Sequence, residues 1–145
     1  MSLTDLANEG RFKAHNSSKS EINQLLAVFD RDMADAQIVN LSTDRRFIMA
    51  YSAALTIAIA ALAASGYRAA SEGHHYWTIQ SLAFTLGTDP KTVEKLNKFR
   101  QKRNIADYER IGMASEKEVS EMLDLAKRLR LELADWLKNN HPELT

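Results

Sequence analysis

The chain contains no cysteine, which excludes a disulfide framework, thiolate zinc sites and thiol nucleophiles. That composition fits a reducing compartment, and cytoplasmic localisation is the expectation. Proline and glycine are scarce, two and five in 145 residues, so little interrupts long helices. Charge of one sign is not in excess either. Nineteen basic and nineteen acidic side chains cancel, leaving no overall field to draw the molecule onto nucleic acid or an anionic membrane. Such attraction has to come from a local patch. Residues 1–20 are polar, with no apolar run of the signal-peptide kind. A Gly-rich phosphate loop, a nucleophile elbow and paired catalytic carboxylates are all missing, so no cofactor is expected.

What is present reads as one globular domain, residues 21–141, behind a flexible leader of residues 1–20. Hydrophobic residues make up 45% of the chain and charged ones 26%, ordinary proportions for a folded domain. Ser18 with Glu21 three positions on resembles a capping box, and Ile22, Leu25, Leu26, Phe29 and Met33 follow at helical spacing, predicting a helix to about Ile38. Ser42 or Thr43 starts a second helix, ending near Gly66. Its apolar stretch, residues 47–64, is rich in Ala and carries Tyr51, Ser52 and Thr56, so a core helix is predicted rather than a membrane span. Arg45 and Arg46 read as a solvated first turn.

A third, short helix is predicted from His74 to Leu86. Asp89 before Pro90 pairs an N-cap with a proline at the first helical position, starting a fourth helix that runs to about Ile111. Ser115 with Glu118 opens the last helix, marked by Val119, Met122, Leu129, Leu133 and Leu137. No segment alternates with period two for long enough to predict a strand. The expected class is all-α, a four-helix up-and-down bundle with one short extra helix.

Chemistry concentrates in the fourth helix, KFRQKRNIADYER over residues 98–110. Leu96, Phe99, Arg103 and Ala106 share one stripe, which sets a guanidinium in an apolar run. A buried arginine is costly unless paired. Either Asp107, one turn on, meets it as a structural ion pair, or Arg103 faces a ligand or a partner. His74 and His75 point about 100° apart on a helix and are poorly placed to share a metal; no metal site is expected. One of them could lie beside Arg103 across the bundle, and Tyr51, Tyr67, Tyr76 and Trp77 could line a pocket with it. His15 and His141 are expected on the surface.

The Arg103-Asn104 pair, with a ring side chain five residues after the arginine, resembles the signature of the HEPN superfamily. The segment GHHYWTIQSLAFTLG before it is similar to small bacterial HEPN-like proteins, and the likeness extends over residues 43–136. The resemblance implies a homodimer whose interface holds a metal-independent endoribonuclease site, with Arg fixing a phosphate and His moving a proton. It also permits a nucleotidyltransferase-type antitoxin as partner. Position 108 is Tyr where active members carry His, and a phenol with a pKa of about 10 is a poor base near neutrality. Binding of nucleotide or RNA through Arg100, Arg103, Asn104, Asp107 and Tyr108, with His74 and His75 nearby, is therefore expected ahead of cleavage.

Two other classes compete. Residues 79–103 fit a helix-turn-helix, with Ala83 at the helix contact, Gly87 in the turn and Val93 and Leu96 as anchors. Lys91, Lys95, Lys98 and Lys102 would then face DNA. The third class is a purely structural interaction module.

Overall fold

The computed structural model describes residues 1–71, 73–108 and 111–145, without the side chains of residues 106–108. Within it the chain is mainly helical, with six helices, α1 Leu3–Asn8, α2 Lys19–Asp35, α3 Thr43–Ala64, α4 His74–Ser81, α5 Pro90–Tyr108 and α6 Glu116–Asn140. A two-stranded sheet, β1 Phe12–Ala14 and β2 Tyr67–Ala69, and a closing 3-10 turn Pro142–Leu144 complete the described structure.

Helix α3 is the axis of the fold. Its Ala residues at 50, 53, 54, 58, 60 and 61 are fully buried, and such small side chains let α2, α4, α5 and α6 all approach one helix. By length and apolarity α3 could cross a membrane, but 78% of its most apolar window is buried by the rest of the protein, as a core helix requires. Phe47 on α3 meets Phe99 on α5 edge to face at 5.3 Å.

The caps fall where the sequence puts them, with one change of partner. Ser115 and Glu118 form the reciprocal capping box, and Asp89 Oδ1 accepts the Thr92 amide at 2.9 Å. Ser18 accepts the Glu21 amide, but the Glu21 carboxylate turns instead to His15 at 2.8 Å and to the Ser17 hydroxyl at 2.7 Å. His15 is accordingly half-buried, and His141, whose ring lies 4.9 Å from that of Trp136, is half-buried too rather than on the open surface. Arg46 is not a solvated side chain either. Its Nε donates to the Ala36 carbonyl at 2.9 Å and its Nη1 to Glu116 at 3.0 Å, tying the end of α2 to the start of α6.

The segment expected as a loose leader contains α1 and β1. Leu6 and Phe12 are buried with Leu62 of α3 in a small second core. β1 pairs antiparallel with β2, in the register Phe12↔Ala69, Lys13↔Arg68 and Ala14↔Tyr67. Three-residue strands are too short to show a period in sequence. Helix α4 stops five residues before the expected Leu86. Ser81 Oγ donates to the Thr78 carbonyl and Thr85 Oγ1 to the Ser81 carbonyl, and the following turns tighten to three-residue bonds, as hydroxyl side chains near a helix end favour. Helix α2 ends three residues before Ile38, where the Gln37 side chain caps the Met33 carbonyl at 2.9 Å.

Candidate functional site

The apolar stripe of α5 begins as the spacing predicts: Val93, Leu96 and Phe99 are buried against the core. One turn further on the helix emerges. Arg100 and Arg103 are half-buried and Asn104 is exposed, with Arg103 Nη1 donating to the Asn104 side chain at 3.4 Å. Arg103 therefore sits at the rim of the core rather than inside it. The side chains of Asp107 and Tyr108, and hence the expected Arg103–Asp107 pair, lie outside the described residues.

Three elements bring charged and aromatic groups to this rim. From α3 comes Tyr51, 1% exposed, whose hydroxyl has no hydrogen-bond partner among the described residues. From α4 come His75 and Tyr76, both half-buried. The Arg100 guanidinium from α5 lies over the Tyr76 ring at 5.7 Å. Gly73, with φ of 63°, starts α4 in the left-handed region that glycine adopts freely. The rings of His74 and His75 meet at 4.1 Å, and His74 Nδ1 lies 3.2 Å from the Ser71 carbonyl, which accepts from it in the tautomer that bonds.

Electrostatics tie these groups into one site. Burial, then His74, then the Arg103 and Arg100 guanidiniums push the His75 imidazole down to about 4. Burial pushes the Tyr51 phenol up to about 12, with the two guanidiniums pulling the other way. His75 is thus neutral well below pH 7 and only weakly basic, mainly through burial, with His74 and the two guanidiniums adding to it. An anion placed between the guanidiniums and the imidazole would relieve both the crowding of positive charge and the depression of His75.

Of the sequence candidates, Arg100, Arg103, His75, Tyr51 and Tyr76 come together here, while Tyr67 and Trp77 belong to the second core. His74 is at the boundary, for it also lines a cleft of about 450 Å³ with Lys13, Ile59, Arg68, Ser71 and Thr78. Lys13 and Arg68 were invisible as site residues from sequence, because only the β1–β2 register sets them side by side. Among the described residues no three His or carboxylate side chains converge as metal ligands.

Three of the four lysines of the helix-turn-helix reading have other partners. Lys95 pairs with Glu121 at 3.1 Å, Lys98 with Glu94 at 3.3 Å, and Lys102 with Glu118. Ala83, expected at the helix contact, is exposed beyond the end of α4, and Leu82 is the buried residue there. The chain matches no protein family, no curated protein and no solved structure.

Proposed function

We propose that the rim formed by Tyr51, His75, Arg100, Arg103 and Asn104 binds the phosphate of a nucleotide or of RNA, in a HEPN-like domain. The observation that carries the reading is the meeting of two guanidiniums with an imidazole kept neutral. Such a site has the donors and the charge for a phosphate and a base for its neighbourhood. The order α2, α3, α5 and α6, read as an up-and-down bundle with α4 as the short extra helix, fits the HEPN resemblance. On that reading the protein works as a homodimer that sets two such sites together, and a nucleotidyltransferase-type antitoxin is a candidate partner.

The site also suggests a replacement for the histidine that position 108 lacks. His75 could accept a proton from a ribose 2′-hydroxyl as that oxygen attacks the adjacent phosphorus, while the bond to the 5′-oxygen breaks and that oxygen takes its proton from solvent water. Bound phosphate raises the basicity of the imidazole by adding negative charge beside it. Cleavage is the secondary expectation and binding the primary one.

The test is binding and cleavage of a labelled single-stranded RNA by wild type, Arg103→Ala and His75→Ala, with thermal melting alongside. The proposal predicts that Arg103→Ala loses at least tenfold in affinity with little change in melting temperature. Binding unchanged in both variants would remove the proposal. Cleavage that disappears in His75→Ala would make the site catalytic.

A further inference from the structure

A separate cleft lies where the two-stranded sheet packs against α3. Lys13 and Arg68 are direct cross-strand partners there, and both are exposed. Like charges in that position repel and weaken the pairing unless an anion answers them. Among the described residues neither meets a carboxylate in an ion pair. Both line the cleft of about 450 Å³ with Ser71, His74 and Thr78, over Ile59. No acidic side chain is among its described lining.

The cleft continues inward. Ile59, Arg68, Ala69 and Thr78 are shared with a smaller cavity of about 190 Å³, whose other walls include Leu25, Leu62, Ala63 and Tyr67. Leu62 and Ala63 are buried, so this inner chamber is apolar on most sides. The carboxylate in its described lining, that of Glu21, is already engaged by His15 at 2.8 Å and by the Ser17 hydroxyl at 2.7 Å. Ile59, a large apolar side chain of the core helix, is 38% exposed between the two spaces. Thr78, only 2% exposed, lines both, and its hydroxyl makes no hydrogen bond among the described residues. The little of Thr78 that is exposed therefore opens onto the cleft, where its hydroxyl can meet a ligand oxygen.

We infer that this cleft binds a small organic anion with an apolar stem, its charged head at Lys13 and Arg68 and its stem over Ile59 in the inner chamber. A carboxylate or phosphate head supplies the negative charge that the two cations lack, and charge-assisted bonds to a guanidinium are the strong kind. The stem supplies the apolar contact that Ile59 and the chamber leave unmade. A bare inorganic anion would use only the outer space, and a neutral apolar molecule only the inner one. The site contains none of the rim residues Tyr51, His75, Arg100, Arg103 and Asn104, so it stands whether or not the rim binds phosphate.

The experiment titrates octanoate and octyl phosphate into the full-length chain by calorimetry, with acetate, inorganic phosphate and octanol as comparators. Wild type, Lys13→Gln, Arg68→Gln, Ile59→Gln and Arg103→Ala are compared, the last removing the rim. At least one octyl anion should bind wild type tenfold or more tightly than its short counterpart and than octanol. Tighter octanoate assigns a carboxylate head, and tighter octyl phosphate a phosphate head. Lys13→Gln, Arg68→Gln and Ile59→Gln should each weaken that ligand at least fivefold, while Arg103→Ala leaves it within twofold. Without ligand, Lys13→Gln and Arg68→Gln should melt at the same temperature or higher, because each removes a like-charge contact. The chain-length comparison needs no variant and keeps the question answerable if one fails to fold. Short anions that bind as tightly as the octyl anions would overturn the inference in favour of a bare anion site. Octanol that binds as tightly would overturn it in favour of an apolar pocket. A loss in Arg103→Ala equal to that in Lys13→Gln would move the ligand to the rim and overturn it as well. So would wild type that binds neither octyl anion, whether or not it binds phosphatidylglycerol vesicles.

Discussion

Tyr51 separates stability from function at the level of one atom. Its hydroxyl is buried beside two guanidiniums without a hydrogen-bond partner among the described residues, and a buried hydroxyl left unpaired costs about 1 to 3 kcal/mol. Tyr51→Phe should therefore melt at the same temperature or higher and bind RNA several-fold more weakly. A fall in melting temperature with unchanged binding would make Tyr51 a core residue only. Asp44 is the opposite case. Burial alone would raise its carboxyl, but the amides of Ala114, Gly112 and Met113 outweigh that and hold it below the usual value, with Gly112 at 2.6 Å and Ala114 at 3.0 Å. Asp44→Ala strands those amides and should destabilise by about 2 to 3 kcal/mol in urea unfolding. His75 adds a pH limb. Its folded value of about 4 lies below its ordinary 6.5, so the unfolded chain takes up a proton in that window that the folded one refuses. Stability is full above pH 6.5 and is lost towards pH 4, by about 1 to 2 kcal/mol once solvent access is allowed for. His75→Gln should flatten that limb.

At the scale of elements, the long helices were legible because caps and apolar spacing agree. Ser42, Asp89, Ser115 and Gly66 mark their ends by the same chemistry in the sequence and in the fold. The two-stranded sheet was not legible, since each strand is three residues long and the two lie far apart in the chain. Its stability comes from side chains in the second core rather than from strand propensity. Phe12→Ala should accordingly cost about 3 kcal/mol in urea unfolding, whereas a loose leader would show no change. The end of α4 was misjudged for a different reason. Hydroxyls at Ser81 and Thr85 compete for backbone carbonyls, and no apolar period reveals that competition.

For the whole molecule, a net charge of zero hides an uneven surface. Lys95, Lys98 and Lys102 of α5 are balanced by Glu121, Glu94 and Glu118, while the Arg100 and Arg103 guanidiniums act on His75 and Lys13 and Arg68 line a cleft with His74. Sequence pattern pointed to Arg103 because it stood in an apolar stripe, and to His75 only as one of several histidines. The crossing of α3, α4 and α5 is what makes them one site, and no spacing along the chain encodes that crossing. The most direct measurement is an NMR titration of the His75 imidazole, in the free protein and with a saturating single-stranded RNA. The account predicts a free value near 4 that rises by more than one unit when RNA binds. An imidazole that titrates near 6.5 in the free protein, and is indifferent to RNA, would contradict it.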